Sequence, residues 1–532
     1  MRNPKLVALS VLVTTLAIPS IAFGQLFEDQ GADGLPQGCG SGCWTNYARM
    51  TDYDGDGDLD LIAINCGGFF VNPSPQPLIF WKNSGSGQFT DDSAAAGNLS
   101  APLRQVAFGD VDGDGDLDFY APSAGGAQPD RIFINDGSGS FTNEAAARLP
   151  AALSSDAGAA RMADFDNDGD LDIFVANGYI NDNAAPGALY ANDGDGNFTV
   201  APTTLPTAKD GINPDDVDIF DVDGDFDLDI YINFHNGQNL LWKNDGAGNF
   251  TDASSGLPDH DAGANHYGPG VCDVDGDGDR DILIDNVGAQ DYEEILLING
   301  GTGTFTNETQ ARITGNNLGA DDNLVSCIDY DGDNDFDIVI GSLATQQRLF
   351  QNDGSGHFTF VSGGFDGPVI STLWMDFGDL NGDGKLDAYA SAGEFATQTE
   401  RYWFGGAGIP VDTIGPKIIA TDTVTLSSSA STVVRFAVSD NAVTDEGPRV
   451  SRAYVLVGSD EIDATFMGGD LFRAVVPATP ETEYVACAVD LQGNISPGCP
   501  GGTGEGGGGP GGGGPGGGSP NGGNGSGGSA AS

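Results

Sequence analysis

One nine-residue acidic phrase recurs seven times in this chain, and any fold must house every copy in an equivalent place. The copies are Asp52–Asp60, Asp110–Asp118, Asp164–Asp172, Asp221–Asp229, Asp273–Asp281, Asp329–Asp337 and Asp379–Asp387. Their starts lie 58, 54, 57, 52, 56 and 50 residues apart. A second phrase, Asn-x-Gly-x-Gly-x-Phe, follows each of the first six, at Asn83–Phe89, Asn135–Phe141, Asn192–Phe198, Asn244–Phe250, Asn299–Phe305 and Asn352–Phe358. Self-similarity of this kind marks a repeat architecture, in which one unit cannot bury its apolar face without its neighbours.

Each unit reads as four short strands. In the second unit Val106–Phe108 runs into the acidic phrase and Leu117–Tyr120 leaves it; Arg131–Ile134 enters the Asn-Asp-Gly turn and Phe141–Thr142 leaves that. Asn, Asp and Gly accept the positive φ of tight turns, so the second phrase predicts a hairpin. Four strands in a unit of this length make one propeller blade. The expected fold class is all-β, with a seven-bladed β-propeller over residues 25–408. The seventh unit breaks off at Gly405-Gly406-Ala407-Gly408 without a second phrase, while Leu26-Phe27-Glu28-Asp29 resembles Phe89-Thr90-Asp91-Asp92. The mature N-terminus is therefore expected to supply the last blade's missing strand, leaving no open sheet edge.

The flanking segments set the compartment. Arg2 and Lys5 precede an apolar run from Leu6 to Ile18, and small residues follow at Ala22-Phe23-Gly24, which reads as a secretory signal over residues 1–24. No other stretch approaches membrane-spanning length, so an exported chain without membrane insertion is expected, secreted or at the cell surface, with the periplasm open. Acidic residues number 78 against 20 basic ones, a formal net charge of −58, which argues against nucleic acid and anionic lipid as partners. Seven cysteines are few for this length. Cys487 and Cys499 bracket a short loop and are expected to pair, and one pair among Cys39, Cys43 and Cys66 is plausible. Cys272 and Cys327 sit at nearly equivalent places in successive units, where a bridge and two small buried hydrophobes are both open.

The spacing of the Asp residues points to metal chemistry. Numbering each phrase 1 to 9, positions 1, 3, 5 and 9 are Asp in every copy except for Asn381. The candidate ligands are thus Asp52, Asp54, Asp56 and Asp60; Asp110, Asp112, Asp114 and Asp118; Asp164, Asp166, Asp168 and Asp172; Asp221, Asp223, Asp225 and Asp229; Asp273, Asp275, Asp277 and Asp281; Asp329, Asp331, Asp333 and Asp337; and Asp379, Asn381, Asp383 and Asp387. Hard oxygen ligands in this number suit Ca2+, up to seven ions, while magnesium demands stricter geometry and zinc prefers His and Cys. Unneutralised, each like-charge pair at 4 Å costs about 4 kcal/mol at an effective dielectric of about 20, so the ions are expected to be required for stability. Position 7 is Lys385 in the last loop, so that position is expected to offer only its carbonyl. Position 4 is Gly in all but one copy, as expected where φ is positive, whereas Phe226 and Asn334 replace Gly at position 6 and predict two weaker loops. An EF-hand is excluded, because no Glu stands at position 12 and Ala63 there lies in a β-rich run.

These phrases, Asp-x-Asp-Gly-Asp-Gly-x-x-Asp between strands, resemble the FG-GAP/VCBS repeat family, which includes the propellers of integrin α subunits. The resemblance covers about residues 25–408 and implies calcium at positions 1, 3, 5, 7 and 9 of each loop, adding Asp58, Asp116, Asp170, Asp227, Asp279, Asp335 and Lys385 to the set. Phe108-Gly109 and Phe377-Gly378 carry the literal Phe-Gly but no Gly-Ala-Pro follows, which is closer to the bacterial VCBS branch. Family membership implies extracellular binding or adhesion in general and names no ligand; a protein or glycan is the expected partner. With four His and no nucleophile motif, the chain is expected not to be an enzyme.

Residues 412–500 change character. Val433–Val438, Arg452–Val457, Leu471–Val476 and Tyr484–Val489 read as strands of a small immunoglobulin-like or fibronectin-like β-sandwich, and residues 501–532 as a glycine-rich disordered tail. The ligand face is expected opposite the calcium loops, with Phe69, Phe70, Tyr179, His235, Asn236 and Tyr292 on one set of loops and His260, His266 and Tyr267 on another. A lectin is the sharper form of that reading. A polysaccharide-active enzyme is the weaker alternative, resting on Asp259-His260-Asp261 with His266.

Overall fold

The computed structural model describes residues 26–502 apart from 32–33, 37–42, 68–73, 127, 151–154, 180–186, 208–211, 259–265, 286–293, 316–321, 394–397, 426–430, 445–446 and 478–483. The signal segment and nearly all of the glycine-rich tail lie outside the described residues, as do Phe69, Phe70, Asp259, His260, Asp261 and Tyr292.

Among the described residues each acidic phrase joins two strands of its own antiparallel sheet, and these sheets are the blades of a β-propeller. Blade 4 is representative: Ile212–Phe220, Asp229–Asn236, Leu240–Asn244 and Phe250–Asp252. The acidic phrase joins its first two strands and the Asn-Asp-Gly phrase joins the last two. At most blade boundaries the first strands of neighbouring blades pack on one another. Blade 6 gains a fifth, short parallel strand, Ile313–Thr314. Blade 7 takes its outer strand from the start of the chain, where Phe27–Gly31 pairs antiparallel with Arg401–Gly405. Phe27 stacks on Phe365 at 4.5 Å, and the Asp29 carboxylate takes the Arg401 guanidinium.

The two phrases of a repeat are tied together by one Asp and one Asn. In blade 4 the Asp229 carboxylate accepts Val222 N–H (2.9 Å) at the start of its own loop and Asn244 N–H (2.7 Å) at the second turn. Asn244 Nδ2 in turn donates to Leu228 O (3.1 Å) and across the blade boundary to Phe165 O (2.8 Å). Asn83, Asn135, Asn192, Asn299 and Asn352 each make the same two bonds. A buried carbonyl left unpaired costs about 1–3 kcal/mol, so this Asn fastens each blade to the one before it. Gly405 holds the equivalent place in blade 7 and supplies only its N–H, to Asp387.

Residues 417–490 form two further sheets facing each other, Lys417–Thr425, Ser431–Ser439, Leu471–Pro477 and Thr465–Gly468 in one and Asp460–Asp463, Val450–Val457 and Tyr484–Asp490 in the other. Val434, Phe436, Val455, Phe472 and Ala488 fill the space between them. This sandwich sits on the acidic-loop face of the propeller, where Met467, Leu471 and Ala437 pack with Phe226, Leu228 and Ile219 of blade 4. Arg449 ties the sandwich to blades 7 and 1, donating to Phe377 O (2.9 Å), Met50 O (2.7 Å) and Asp376 Oδ1 (2.7 Å). Disulfides join Cys487 to Cys499 and Cys272 to Cys327, the latter linking the first strands of blades 5 and 6. Cys43 is disulfide-bonded, and Cys66 is a buried free thiol whose pKa burial pushes up to about 12.

Candidate metal centres

The position 1 carboxylate organises each loop. In loop 1, Asp52 Oδ1 accepts the N–H groups of Gly55 (2.8 Å) and Asp56 (3.1 Å), and Oδ2 accepts that of Gly57 (2.9 Å). This wraps the chain around one carboxylate and leaves positions 3, 5 and 9 facing it. Loops 2, 4, 5, 6 and 7 repeat the bonds to positions 4 and 6. The sharp reversal needs positive φ at both places. Phe226 (φ 64°) and Asn334 (φ 69°) adopt it in place of glycine and keep the bond to position 1, at 2.8 and 2.9 Å. The two substitutions therefore leave loop geometry intact. For a bulky residue this φ is strained, and the Phe226 ring is held by the sandwich, under Arg435 at 5.7 Å.

Position 3 carries the most telling carboxylates. One oxygen is taken by a side-chain donor from further along the same repeat: Arg148 on Asp112 (3.1 Å), Lys243 on Asp223 (2.8 Å), Arg312 on Asp275 (3.2 Å), Gln351 on Asp331 (2.6 Å), and Lys82 on Asp54. The other oxygen, Oδ1, is enclosed and has no hydrogen-bond partner in Asp54, Asp112, Asp275 and Asp331. Position 5 folds over the loop, its Oδ1 accepting the N–H of position 7, as from Asp227 to Asp225 (3.0 Å).

Position 9 lies deepest. Burial pushes the carboxyl pKa up to about 8 in Asp60, Asp172, Asp229 and Asp387, to about 7 in Asp118 and Asp281, and to about 9 in Asp337, with neighbouring loop carboxylates adding to the shift. Position 7 points elsewhere: the carboxylates of Asp58, Asp116, Asp170, Asp227 and Asp279 lie against the hairpin glycines Gly85, Gly137, Gly194, Gly246 and Gly301, where a Cβ would collide with them. Lys385 likewise turns its Nζ away, to Gly406 O (3.0 Å) and Gly405 O (3.3 Å). Only the main-chain oxygen of position 7 is then left for an ion.

Ligand atoms of positions 1, 3 and 9 come within 4.8 Å of one another in loops 1, 2 and 5 (Asp52, Asp54, Asp60; Asp110, Asp112, Asp118; Asp273, Asp275, Asp281), and those of positions 1, 3 and 5 do so in loops 3 and 4. These clusters could each hold a metal ion. Loop 3 departs from the rest. Asn167 at position 4 sends its Nδ2 to Asp227 Oδ1 of loop 4 (2.8 Å), and Arg473 of the sandwich approaches Asp164 at 3.7 Å. Arg435 spans both loops, donating to Asp227 Oδ1 (2.8 Å), Phe226 O (2.9 Å) and Asn167 Oδ1 (3.3 Å).

The expected ligand-face residues that are described are not open platforms. Tyr179, His235, His266 and Tyr267 are all buried. Tyr179 OH accepts Arg104 Nη1 (2.7 Å) beneath the guanidinium, His235 meets the edge of Tyr267 at 4.8 Å, and His266 lies beside Asn239 (3.4 Å).

A family model described as FG-GAP-like repeat matches residues 52–121, 123–175, 164–232, 221–284 and 329–390. These stretches cover more than half of the sequence and carry all seven acidic phrases whole; the chain belongs to that family. Among solved structures, the chain is similar to BBS1N, crystallised in complex with ARL6DN, at 10% identity and a TM-score of 0.46 over 73% of this chain and 99% of that one. It is also similar to the Dos1 propeller (10% identity, TM-score 0.38, 69% and 92%) and to an ancestral GH74 enzyme (11%, 0.41, 87% and 64%). No curated protein matches the sequence.

Proposed function

We propose that the chain is an exported, calcium-loaded, seven-bladed propeller with an immunoglobulin-like sandwich, acting as a non-enzymatic extracellular binding or adhesion protein. The observation that carries this reading is the set of enclosed, unbonded Oδ1 atoms of Asp54, Asp112, Asp275 and Asp331. Such orphans are costly unless something meets them, and Asp54, Asp112 and Asp275 each belong to a cluster of carboxylates with ligand atoms within 4.8 Å of one another. Oxygen-only, partly flexible loops favour calcium over magnesium or zinc. Binding then falls to the face away from the loops, since the sandwich covers the centre of the loop face. Among the described residues no helix is long and apolar enough to cross a membrane, and two disulfides fit an oxidising compartment. Elemental analysis of the purified protein should find several calcium ions per chain, and chelation should lower the melting temperature by more than 10 °C. Equal melting temperatures with no metal found would refute it.

A further inference from the structure

The propeller axis carries a second regularity, independent of the acidic loops. Six residues ahead of the first Asp of each phrase stand Asn46, Arg104, Gly158, Asp215, Tyr267, Asn323 and Leu373. In five of the seven blades the first strand slips register at this position, at Asn46, Gly158, Asp215, Asn323 and Leu373. A β-bulge re-aims a side chain out of the pleat. The six positions that have side chains border one and the same cavity. Only the axis is reachable from so many blades, so this is the mouth of the central channel. Six residues of extended chain set it roughly 20 Å from the loops, on the opposite face.

The mouth is a blind cup. Its floor is Trp374, stacked on Tyr47 at 4.1 Å, and a separate chamber lies below that ring, closed by the sandwich. Two amides in the wall are unspent. Asn323 is 1% exposed with neither Oδ1 nor Nδ2 hydrogen-bonded, and Asn46 is 6% exposed with its Oδ1 unbonded. The charges cancel, because Arg104 Nη2 pairs with Asp215 Oδ1 (2.8 Å) and His235 stands 3.4 Å from the other oxygen.

We propose that this cup binds the end of a neutral, hydroxyl-rich ligand, a sugar residue of an extracellular glycan. The proposal rests on the reading of the chain as an extracellular binding propeller. Sugar hydroxyls both donate and accept, which matches an amide offering N–H and C=O together, and an apolar sugar face suits an aromatic floor. A charged end group finds no unpaired counter-charge here. The cup is narrow, so only a hydroxyl-bearing edge of the end group would enter, taking the place of water beside Asn323 and Asn46, while the rest of the ligand lies above.

The test is calorimetric titration of the full chain in calcium with cellotriose, mannotriose and chitotriose, alongside Asn323→Ala and Asn46→Ala variants. At least one trisaccharide should bind saturably at one site, and each variant should weaken it at least ten-fold. Because Asn323 makes no bond in the fold, Asn323→Ala should leave melting temperature and calcium content unchanged, whereas a structural asparagine would lower the former. Absence of binding by all three sugars, undiminished binding by Asn323→Ala, binding of charged peptides instead, or a sugar-soaked crystal showing ordered water only in the cup would each overturn the proposal. A protein that binds no sugar yet loses its fold on chelation separates this failure from failure of the calcium reading.

Discussion

At position 3 of the acidic loops a single carboxylate faces two ways. In loop 2, Asp112 gives one oxygen to Arg148 and keeps the other enclosed and unbonded. The arginine fixes the side chain without neutralising the loop, which still gathers Asp110, Asp112 and Asp118 within a few ångströms. Asp112→Asn retains an acceptor for Arg148 but removes the charge an ion needs. The variant should bind one cation fewer by elemental analysis. It should also lose about 2.7 kcal/mol of stability in calcium held at 100 times the dissociation constant, a gap that closes in chelator. An unchanged cation count would show that Asp112 is not a ligand.

Among elements, the acidic loop and the sandwich strand Ser431–Ser439 meet through Arg435. Its guanidinium bonds to loops 3 and 4 and to Asp422 (2.8 Å) of its own sheet. Phe226, strained at positive φ, sits in the same contact. A charged, partly buried donor of this kind is worth about 1.5–3 kcal/mol per bond to a carboxylate. Arg435→Ala should therefore lower the melting temperature and raise amide exchange in Ser431–Ser439 and Leu471–Pro477, leaving exchange in blades 1 and 2 alone. Uniform protection in the variant would mean that the sandwich is held by its apolar contact alone. None of this junction is legible in the sequence, because Phe226 reads there only as a faulty glycine and Arg435 as one polar residue in a strand. The loops and hairpins are legible, since turn chemistry and ligand spacing are local and repeat in kind. The axial cup is legible only as a spacing. Asn46, Arg104, Asp215, Tyr267, Asn323 and Leu373 share no chemistry, and a ring of unlike residues becomes a site only when blades close around an axis. The same holds for Tyr179 and His235, whose residue types suggest an open platform while the fold buries them against Arg104 and Tyr267.

For the whole molecule, seven buried position 9 carboxylates make stability a function of pH, and, on the proposed reading of the loops, of calcium as well. Without a cation their pKa values rise to about 7 in Asp118, about 8 in Asp60 and about 9 in Asp337, because burial disfavours the charged form. In the unfolded chain an Asp titrates near 3.9. The folded state thus binds protons more tightly, so this contribution to stability is fully present below about pH 4 and is lost as pH rises through about 7 to 9. Chelated protein should accordingly melt at falling temperatures from pH 5 to pH 8. A divalent ion reverses the dependence, since it takes the place of the protons and holds the carboxylates ionised. Calcium competes poorly with protons at pH 5 and well at pH 8, so the rise in melting temperature on adding calcium should be several-fold larger at the higher pH. Scanning fluorimetry with calcium or EGTA at half-unit steps reads both curves. If the chelated curve is flat and the calcium increment does not grow with pH, the deep carboxylates are serving as latches for Asn83 and its counterparts without facing an ion at all.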